Sequence, residues 1–337
     1  MYLVQTFSYI CGTYYLIVLM EKILVIGANG QLGSELTEAL QQKWGTENVL
    51  ATDIRPANSG YNGRFKTLDA LDREAIFSTI QEEEITQVYL LAAVLSATGE
   101  KNPHFAWKLN MDSLFNVLEA ARELKTSKVY WPSSIAVFGP DTPKNNVPQQ
   151  TVCNPTTVYG ISKLAGEQWC AYYFAKYGVD VRSIRYPGLI GYKALPGGGT
   201  TDYAVDIYHK ALEGENYDCF LSKDTYLPMM YMEDAVRATI ELMDAPAETI
   251  SVRTSYNLHG MSFSPKEIAQ SIQKHIPKFT ISYSPDFRQE IADSWPDSIN
   301  DGQAQKDWNW KPNYDLGKMT DIMLEMLKQQ KAKSQEV

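Results

Sequence analysis

Residues 23–44 read as a buried strand, a glycine turn and a helix in direct succession. Ile23-Leu24-Val25-Ile26 is an unbroken apolar run, Gly27-Ala28-Asn29-Gly30-Gln31-Leu32-Gly33 follows it, and a helical pattern continues to Trp44. Three glycines at this spacing permit a tight turn, close packing of helix on strand, and close approach of the backbone to an anion at the helix N-terminus. The segment therefore predicts the first strand–helix unit of a parallel sheet with a phosphate-binding turn.

A second predicted strand, residues 49–52, ends in Asp53, twenty residues beyond Gly33. A carboxylate at this position accepts hydrogen bonds from the adenosine ribose and repels a 2′-phosphate, so the pattern predicts NAD rather than NADP. The alternative interpretation of Asp53 is a turn or helix-cap carboxylate. The alternative interpretation of the glycines is an ordinary tight turn. The cofactor-binding candidates in this part of the chain are Gly27, Asn29, Gly30, Gln31, Leu32 and Asp53.

Strand and helix patterns alternate onward, with strands predicted at residues 88–93, 128–131 and 180–186 and helices at residues 103–124 and 155–177. This alternation predicts an α/β fold of Rossmann type, a doubly wound parallel sheet with helices on both faces and ligands at the carboxyl ends of its strands. We divide the chain into an N-terminal extension (1–20), a nucleotide-binding domain (21–186), a smaller C-terminal substrate-binding lobe interleaved with the core (187–330) and a tail (331–337).

Two further predicted strand ends carry candidate cofactor contacts. Asp69 follows a strand-like stretch, where its carboxylate either accepts from the adenine amino group or caps a helix. Leu91, Ala92 and Ala93 close the strand that starts at residue 88, and they suit packing against ribose and diphosphate.

Tyr159 and Lys163 lie four residues apart in a predicted helix, so the ammonium is one turn from the phenol on the same face. A free phenol ionises near pH ~10, which is too high for a base at neutral pH, but a nearby cation favours the phenolate. The pair predicts alcohol–carbonyl redox chemistry with tyrosine as the general base. An exposed helical Tyr and Lys is the alternative for the pair alone.

The composition fits an enzyme of small molecules. The 337 residues are 44% hydrophobic, and 31 basic against 40 acidic side chains give a net charge of −9, which argues against a nucleic-acid or anionic-membrane surface. The four cysteines and four histidines form no metal-ligand spacing, so no metal is expected.

Residues 1–20 lack signal-peptide, transit-peptide and membrane-span patterns, which predicts a cytoplasmic protein, or a mitochondrial one in a eukaryote. Either the functional chain begins near Met20 or these residues form a surface extension.

Taken together, these motifs resemble the extended short-chain dehydrogenases/reductases. The resemblance spans residues 21–312 and is carried by residues 27–33, Asp53, Leu91-Ala92-Ala93, Ser133-Ser134-Ile135-Ala136-Val137-Phe138-Gly139, 159–163 and Arg185-Tyr186-Pro187-Gly188. It implies catalytic roles for Ser134, Tyr159 and Lys163, and it places Tyr186 and Leu189 beside the nicotinamide. It also implies that Asn110 binds a water in a proton relay to Lys163, although helical asparagines are often just polar surface.

Within the family, the chain is similar to the L-threonine 3-dehydrogenases. The runs 196–204, 226–235 and 291–296 carry this likeness. It implies NAD-dependent oxidation of L-threonine at its 3-hydroxyl to 2-amino-3-oxobutanoate, with Ser96, Ser134, Tyr159, Thr200 and Asp202 holding the amino acid. The alternative for residues 197–202 is a flexible connection with Asp202 as a helix N-cap.

Two further residues are candidates for the substrate. Arg185 either steers the substrate carboxylate or pairs with a structural carboxylate, and Trp295 either covers the substrate methyl group or packs in the core.

A nucleotide-sugar epimerase or dehydratase is the runner-up function, because that branch shares the glycine turn and the Ser/Tyr/Lys set. A non-catalytic NAD(H) sensor is the third, although such proteins often lose the catalytic pair. Apolar positions on more than one face of helices 103–124 and 155–177 predict a homodimer through a four-helix contact.

Overall fold

The structure is a computed structural model that describes residues 5–8, 13–16, 21–58, 60–195, 197 and 199–335. The strands in these residues are β1 (Gln5–Ser8), β2 (Thr13–Leu16), β3 (Ile23–Ile26), β4 (Val49–Asp53), β5 (Arg64–Thr67), β6 (Gln87–Leu90), β7 (Lys128–Tyr130), β8 (Ser133–Ser134), β9 (Val181–Arg182), β10 (Ile184–Tyr186), β11 (Gly188–Ile190), β12 (Tyr217–Cys219), β13 (Leu227–Tyr231), β14 (Tyr256–Asn257), β15 (Met261–Phe263) and β16 (Ile281–Tyr283). The helices are α1 (Gln31–Trp44), α2 (Arg73–Glu82), α3 (Ser96–Gly99), α4 (Pro103–Leu124), α5 (Val158–Tyr177), α6 (Tyr203–Glu213), α7 (Met232–Asp244), α8 (Pro265–Gln273), α9 (Arg288–Asp293), α10 (Gly302–Trp308) and α11 (Leu316–Gln335).

Six parallel strands form the central sheet, in the order β5-β4-β3-β6-β7-β9. The chain starts in the middle of the sheet at β3, winds outward to one edge and then returns to build the other edge. The strand order therefore reverses beside β3, and a crevice opens there at the carboxyl ends of the strands. The predicted Rossmann-type α/β fold is confirmed.

Side chains of the central strands alternate between two buried layers. Ile23 and Val25 of β3 pack with α1, α7 and α10, whereas Leu24 and Ile26 pack with α2, α4 and α5. Both faces of the sheet are covered by helices, which is why the run from Ile23 is apolar at every position rather than at every second one.

The predicted strand at residues 180–186 is two strands in two sheets. β9 ends the central sheet beside β7, and β10 pairs instead with β8 and β14 in a second parallel sheet. The chain leaves the strand conformation at Ser183, between β9 and β10, and in the same way between β7 and β8. At the second break Pro132 has no backbone N–H to donate to a neighbouring strand. Because of this double break, Ser134 and Tyr186 stand on strands that continue beyond the central sheet toward the crevice.

The C-terminal part packs around a separate apolar cluster. It joins the sheet β11-β13-β15 to α6, α8 and α11, with Tyr203, Phe263 and Trp295 among its buried members. α6 follows the glycine-rich run, of which Pro196 and Gly198 lie outside the described residues. The domain boundary that we predicted at residues 186 and 187 falls between β10 and β11, and it stays a prediction.

The predicted N-terminal extension contains the antiparallel pair β1 and β2; the rest of residues 1–20 lies outside the described residues, as do tail residues 336 and 337. None of the helices in the described part of the chain has the length and apolar character that crossing a bilayer demands.

Candidate active site

A cavity of about 500 Å³ opens at the carboxyl ends of the central strands, between the sheet and the C-terminal part. It is continuous from the glycine turn after β3 to the start of α6. The predicted site residues that line it are Gly27, Gly30, Gln31, Leu32, Leu91, Ala93, Ser96, Ser134, Tyr159, Lys163, Tyr186, Leu189, Thr200, Asp202 and Trp295. The fold thus brings together in one cavity residues that lie up to 268 positions apart in the sequence.

The glycine turn has the form of a cradle for a diphosphate. Gly27 has a φ of 94°, and a Cβ there would lie 2.6 Å from the backbone nitrogen of Ala92. A Cβ on Gly33 would lie 2.2 Å from the carbonyl oxygen of Gly27, so α1 can pack onto the turn only without a side chain. The first turn of α1 faces the cavity with its unpaired N–H groups, a site suited to an anion. The residues present therefore fit a dinucleotide.

Asp53 lies at the end of β4, buried, beside the glycine turn. One carboxylate oxygen accepts from the backbone N–H of Asn29 at 3.1 Å, and the other accepts from the backbone N–H of Arg55 at 3.1 Å. The Arg55 guanidinium reaches the same oxygen at 3.3 Å, and Arg55 lines the cavity. The turn and the end of β4 are thus tied together at the ribose end of the predicted site.

The other predicted adenosine contacts lie around this end. Leu91 and Ala93 line the cavity, and Ala92 forms the wall against Gly27. Asp69 is exposed after β5, outside the cavity lining, and accepts from the backbone N–H of Leu71 at 2.9 Å. It does not cap α2, since Asp72 does that by accepting from Ala75. The contact between Asp69 and adenine stays a prediction.

Ser134, Tyr159 and Lys163 converge on the middle of the cavity. α5 begins at Val158, where Thr157 caps it, so Tyr159 and Lys163 are on its first two turns and face β8. Lys163 Nζ donates to the carbonyl oxygen of Pro132 at 2.6 Å and lies 4.4 Å from the ring centroid of Trp131. The same Nζ is 5.5 Å from the ring centroid of Tyr159.

Burial has the largest effect on the pKa values of both Tyr159 and Lys163. It raises the pKa of Tyr159 to about 12, against which the Ser134 hydroxyl lowers it. Burial also lowers the pKa of Lys163 to about 7, opposed by the nearby Cys170 and Glu167. Burial therefore opposes ionisation of the Tyr159 phenol, and the role of Tyr159 as general base stays a prediction.

Asn110 is a buried residue rather than part of a polar surface. It is 2% exposed, its Oδ1 accepts from the backbone N–H of Val94 at 2.9 Å, and its Nδ2 donates to Ser162 Oγ at 3.1 Å. Ser162 in turn donates to the carbonyl oxygen of Tyr159 at 2.7 Å. Asn110 therefore ties the cavity loop at Val94 to the first turn of α5. The predicted water relay stays a prediction.

The end of the cavity next to α6 is small and rich in hydroxyl groups. Ser96 from α3 and Thr200 from the glycine-rich run are buried, with their hydroxyl oxygens 3.4 Å apart. Asp202 precedes α6, and its carboxylate accepts from the backbone N–H of Gly199 at 2.7 Å. Trp295, 5% exposed, belongs both to the cavity wall and to the C-terminal apolar cluster.

Arg185 is not a substrate contact in this structure, which corrects our first interpretation. Its guanidinium forms a buried bidentate pair with Glu167, at 2.8 and 2.7 Å, and also donates to Asn257 Oδ1 at 3.0 Å. Arg185 lies outside the cavity lining, whereas Tyr186, the next residue of β10, contributes to it. The alternative, an ion pair with a structural carboxylate, is what the structure contains.

Two residues near the cavity, Glu167 and Arg55, were missed by sequence reasoning. Glu167 lies one turn after Lys163 and accepts from Ser133 Oγ at 2.6 Å as well as from Arg185. Arg55 lies two residues after the predicted ribose carboxylate, and this position was a signal that could have been used. Gln31, a predicted cofactor contact, also donates through its side chain to the carbonyl oxygen of Leu195 at 3.3 Å and so joins α1 to the glycine-rich run.

Comparison with known proteins defines the class of this fold and site. The chain matches the NAD dependent epimerase/dehydratase family over residues 23–258, and it belongs to that family. A curated relative, an uncharacterized epimerase/dehydratase of Staphylococcus aureus, is 49% identical over 314 residues, 92% of this chain and 98% of its own length.

Solved structures that this chain resembles at up to 59% identity are L-threonine 3-dehydrogenases. A partial consensus L-threonine 3-dehydrogenase superposes with a TM-score of 0.91 at 59% identity, covering 91% of this chain and 99% of that one. The GalE-like L-threonine dehydrogenase from Cupriavidus necator, in its holo form, gives 0.90 at 58% with the same coverage. Family and neighbours together support a NAD-dependent oxidoreductase and imply a nicotinamide cofactor. A neighbour from a metagenome, 49% identical over 91% of this chain and 99% of its own with a TM-score of 0.89, is described as monomeric.

Proposed function

We propose that this protein is a NAD-dependent L-threonine 3-dehydrogenase, which oxidises the 3-hydroxyl of L-threonine to give 2-amino-3-oxobutanoate. The observation that carries the proposal is the order of residues along one cavity. The glycine cradle lies at one end, Ser134, Tyr159 and Lys163 lie in the middle, and a small hydroxyl-lined end with Asp202 closes it. An alcohol held at that end would point its hydroxyl toward Tyr159 and Ser134 in the middle of the cavity.

In this proposal the cradle, Asp53 and the segment Tyr186 to Leu189 hold NAD. The carboxylate of Asp53 accepts from the ribose, and Leu91 and Ala93 pack against the nucleotide. When bound, oxidised NAD accepts a hydride from the alcohol carbon and brings a positive charge into the cavity.

Tyr159 acts as the general base on the substrate hydroxyl. Ser134 hydrogen-bonds the substrate oxygen and orients it toward the phenol oxygen, which takes the proton. Burial raises the pKa of Tyr159 to about 12, so a positive charge near the phenol would favour the phenolate that acts as base. Lys163, four residues on in the same helix, contributes when it is protonated. A base of this kind contributes roughly 10²- to 10⁴-fold to the rate.

The closed end suits the zwitterion of a small amino acid. Asp202 pairs with the ammonium group, while Ser96, Thr200 and the backbone N–H groups beside Gly199 donate to the carboxylate. Trp295 covers the methyl group. Among the described residues that line the cavity, the basic side chains are Lys163 and Arg55, and neither lies at this end. A nucleotide-sugar diphosphate would need cations there, so this composition favours threonine over the epimerase alternative.

We also propose a homodimer through α4 and α5. Exposed apolar side chains that gather in a patch mark interaction surfaces, and the rings of Trp169, Tyr172 and Tyr177 contact one another on α5. The large apolar side chains of the two helices that are 39–48% exposed are Phe105, Trp107, Ile161, Trp169, Tyr172 and Tyr177. A second copy related by two-fold symmetry would cover the patch. Sedimentation equilibrium tests this, and a monomer at micromolar concentration would contradict it.

The deciding experiment follows NADH formation with L-threonine, L-serine, D-threonine and UDP-glucose. Steady NADH formation with L-threonine at a kcat/KM well above those of the other three supports the proposal. Tightly retained NAD with turnover of UDP-glucose would establish the epimerase instead.

Variants of two tyrosines test the base. Tyr159→Phe should lower kcat by roughly 10²-fold or more while NAD affinity stays nearly unchanged. Tyr226→Phe removes the hydroxyl of an exposed tyrosine outside the cavity lining and serves as the matched control, with kcat expected to stay unchanged. Turnover of the Tyr159→Phe variant at the control rate would remove Tyr159 from the mechanism.

A further inference from the structure

A second cavity, of about 360 Å³, is lined by residues of α1 and α7 and by Lys193. No described residue lines both this cavity and the candidate active site. We infer that the second cavity binds a small organic cation, a primary ammonium group on a short apolar chain, whose ammonium group pairs with the carboxylate of Glu35. The inference concerns a separate site and goes beyond the proposed function.

Both cationic side chains of this cavity already have a carboxylate partner. Lys193 Nζ lies 2.6 Å from a carboxylate oxygen of Glu38, which belongs to α1. The guanidinium of Arg237 lies 2.8 Å from a carboxylate oxygen of Glu241, one turn further along α7. These two pairs account for two of the acidic side chains in the lining and leave neither cation in an ion pair with Glu35.

Glu35 is a buried carboxylate in this lining without a partner. The residue is 9% exposed, and within the described part of the chain its carboxylate accepts no hydrogen bond and forms no ion pair. The remaining acidic residue of the lining, Glu233, accepts from the hydroxyl of Tyr314. A Cβ at Gly191 would lie only 3.0 Å from Glu35 Oε1, so the glycine gives the carboxylate its room. Burying a charge without a partner costs free energy, which a bound cation would recover.

The charges around Glu35 favour a cation over an anion. Four glutamates line the cavity against two cationic side chains, Lys193 and Arg237. Burial raises the pKa of Glu35 to about 7, and the charge of Lys193 lowers it. The negative charges of Glu233 and Glu38 raise it further. A positive charge beside the carboxylate would stabilise its ionised form, whereas an anion would meet the excess of glutamates.

The rest of the lining suits a carbon chain rather than a metal ion. The apolar side chains of Ala39, Val236 and Ile240 line the same cavity. No group of three or more His, Cys, Asp or Glu side chains in the described residues is arranged to hold a metal ion. A divalent metal ion takes about six oxygen ligands, whereas an ammonium group can pair with one carboxylate while its chain covers apolar surface. The volume lies at the lower end of the range of small-molecule sites, roughly 300–1,000 Å³.

Three probes separate the contributions of charge and chain. Calorimetric titrations of the full chain at pH 8 use n-butylamine, its neutral analogue 1-butanol, and ammonium chloride, all at one ionic strength set with sodium chloride. The proteins are the wild type, Glu35→Gln and Glu74→Gln. Glu74 is an exposed carboxylate of α2, which packs on the opposite face of the sheet from α1, and its variant is the matched control.

We expect n-butylamine to bind the wild type and Glu74→Gln equally, with a Kd at or below about 1 mM. Glu35→Gln should bind it at least about tenfold more weakly, because a charge-assisted hydrogen bond is lost. The wild type should bind 1-butanol and ammonium chloride at least about tenfold more weakly than n-butylamine. Equal affinity of Glu35→Gln and the wild type for n-butylamine, or no binding to either, would overturn the inference. Ammonium chloride binding as tightly as n-butylamine would identify a site for inorganic cations instead.

The stability of Glu35→Gln without any probe gives a second measurement. Glutamine has the same shape and no charge, so the variant removes a buried charge that has no partner. Its melting temperature at pH 8 should therefore equal or exceed that of the wild type. A fall of more than about 5 °C would show that the carboxylate already has a stabilising partner within the protein, and this result would also overturn the inference.

Discussion

The pair Arg185–Glu167 allows the strongest quantitative prediction. The Glu167 side chain is fully buried and that of Arg185 is 7% exposed, and both carboxylate oxygens accept from the guanidinium at 2.7–2.8 Å. Arg185→Met removes the guanidinium and leaves a buried carboxylate whose remaining contact is Ser133 Oγ. A buried charge without its partner costs about 3–5 kcal/mol, so the free energy of unfolding should fall by that amount.

The double variant decides whether this cost comes from the unpaired charge. Glu167→Gln leaves the Arg185 guanidinium with Asn257 and the Gln149 carbonyl as partners, and it should also destabilise. Combined with Arg185→Met, however, it removes both charges. We expect the double variant to lose less than the sum of the single variants, with a coupling energy of about 2–3 kcal/mol.

Urea unfolding followed by tryptophan fluorescence measures these energies. Lys210→Ala is the matched control, because Lys210 forms ion pairs with Glu213 and Glu215 at the surface, 43% exposed, and should lose less than about 1 kcal/mol. The KM for L-threonine should not rise in Arg185→Met without an accompanying loss of stability. A large increase in KM with unchanged stability would show that Arg185 holds the substrate carboxylate and would refute the structural role.

Three further predictions follow from the site. Gly33→Ala should weaken NAD binding at least about tenfold in a titration, because its Cβ would lie 2.2 Å from the Gly27 carbonyl oxygen, whereas Gly317→Ala should have no effect since the nearest atom is 3.4 Å away. Burial holds the pKa of Lys163 at about 7, below its value near ~10.4 in the unfolded chain; the folded state therefore binds fewer protons between these limits, and wild-type stability relative to Lys163→Met should rise by about 2–3 kcal/mol from pH 7 to pH 9.5 in urea unfolding. A flat difference would contradict burial of the charged form. Asp202→Asn should raise the KM for L-threonine roughly tenfold or more and leave NAD affinity unchanged, whereas an equal loss of both would point to misfolding of the run before α6.

Local sequence patterns predicted the helices and strands whose bounds are set by neighbouring residues in the chain. β3 and α4 have the predicted bounds, because an apolar run before a glycine turn defines the first, and Asn102 with Pro103 starts the second. The strand at 180–186 was predicted as one because its break depends on the neighbouring strands. Pairing between strands is not visible in a single segment.

The identities of the residues predicted well which side chains gather at the cavity. They predicted less well how the pKa values of those side chains are shifted. Tyr159 and Lys163 were found from their spacing, but the direction of their pKa shifts depends on burial that only the packed structure reveals. Arg185 shows the converse. Its guanidinium pairs with Glu167 of α5, and sequence reasoning could not choose between such a structural ion pair and the substrate carboxylate.

The substrate end of the cavity is formed by residues from both the sheet side and the C-terminal side of the protein, and this arrangement bears on function. Ser96 comes from the sheet side and Thr200 from the C-terminal side, yet their hydroxyls are 3.4 Å apart. The Gln31 side chain joins the same two sides at the cradle through the Leu195 carbonyl. A nucleotide in the cradle therefore borders the run that carries Thr200 and Asp202. Because the substrate end is complete only when the two sides are together, we expect residues of this run to influence threonine binding more than nucleotide binding.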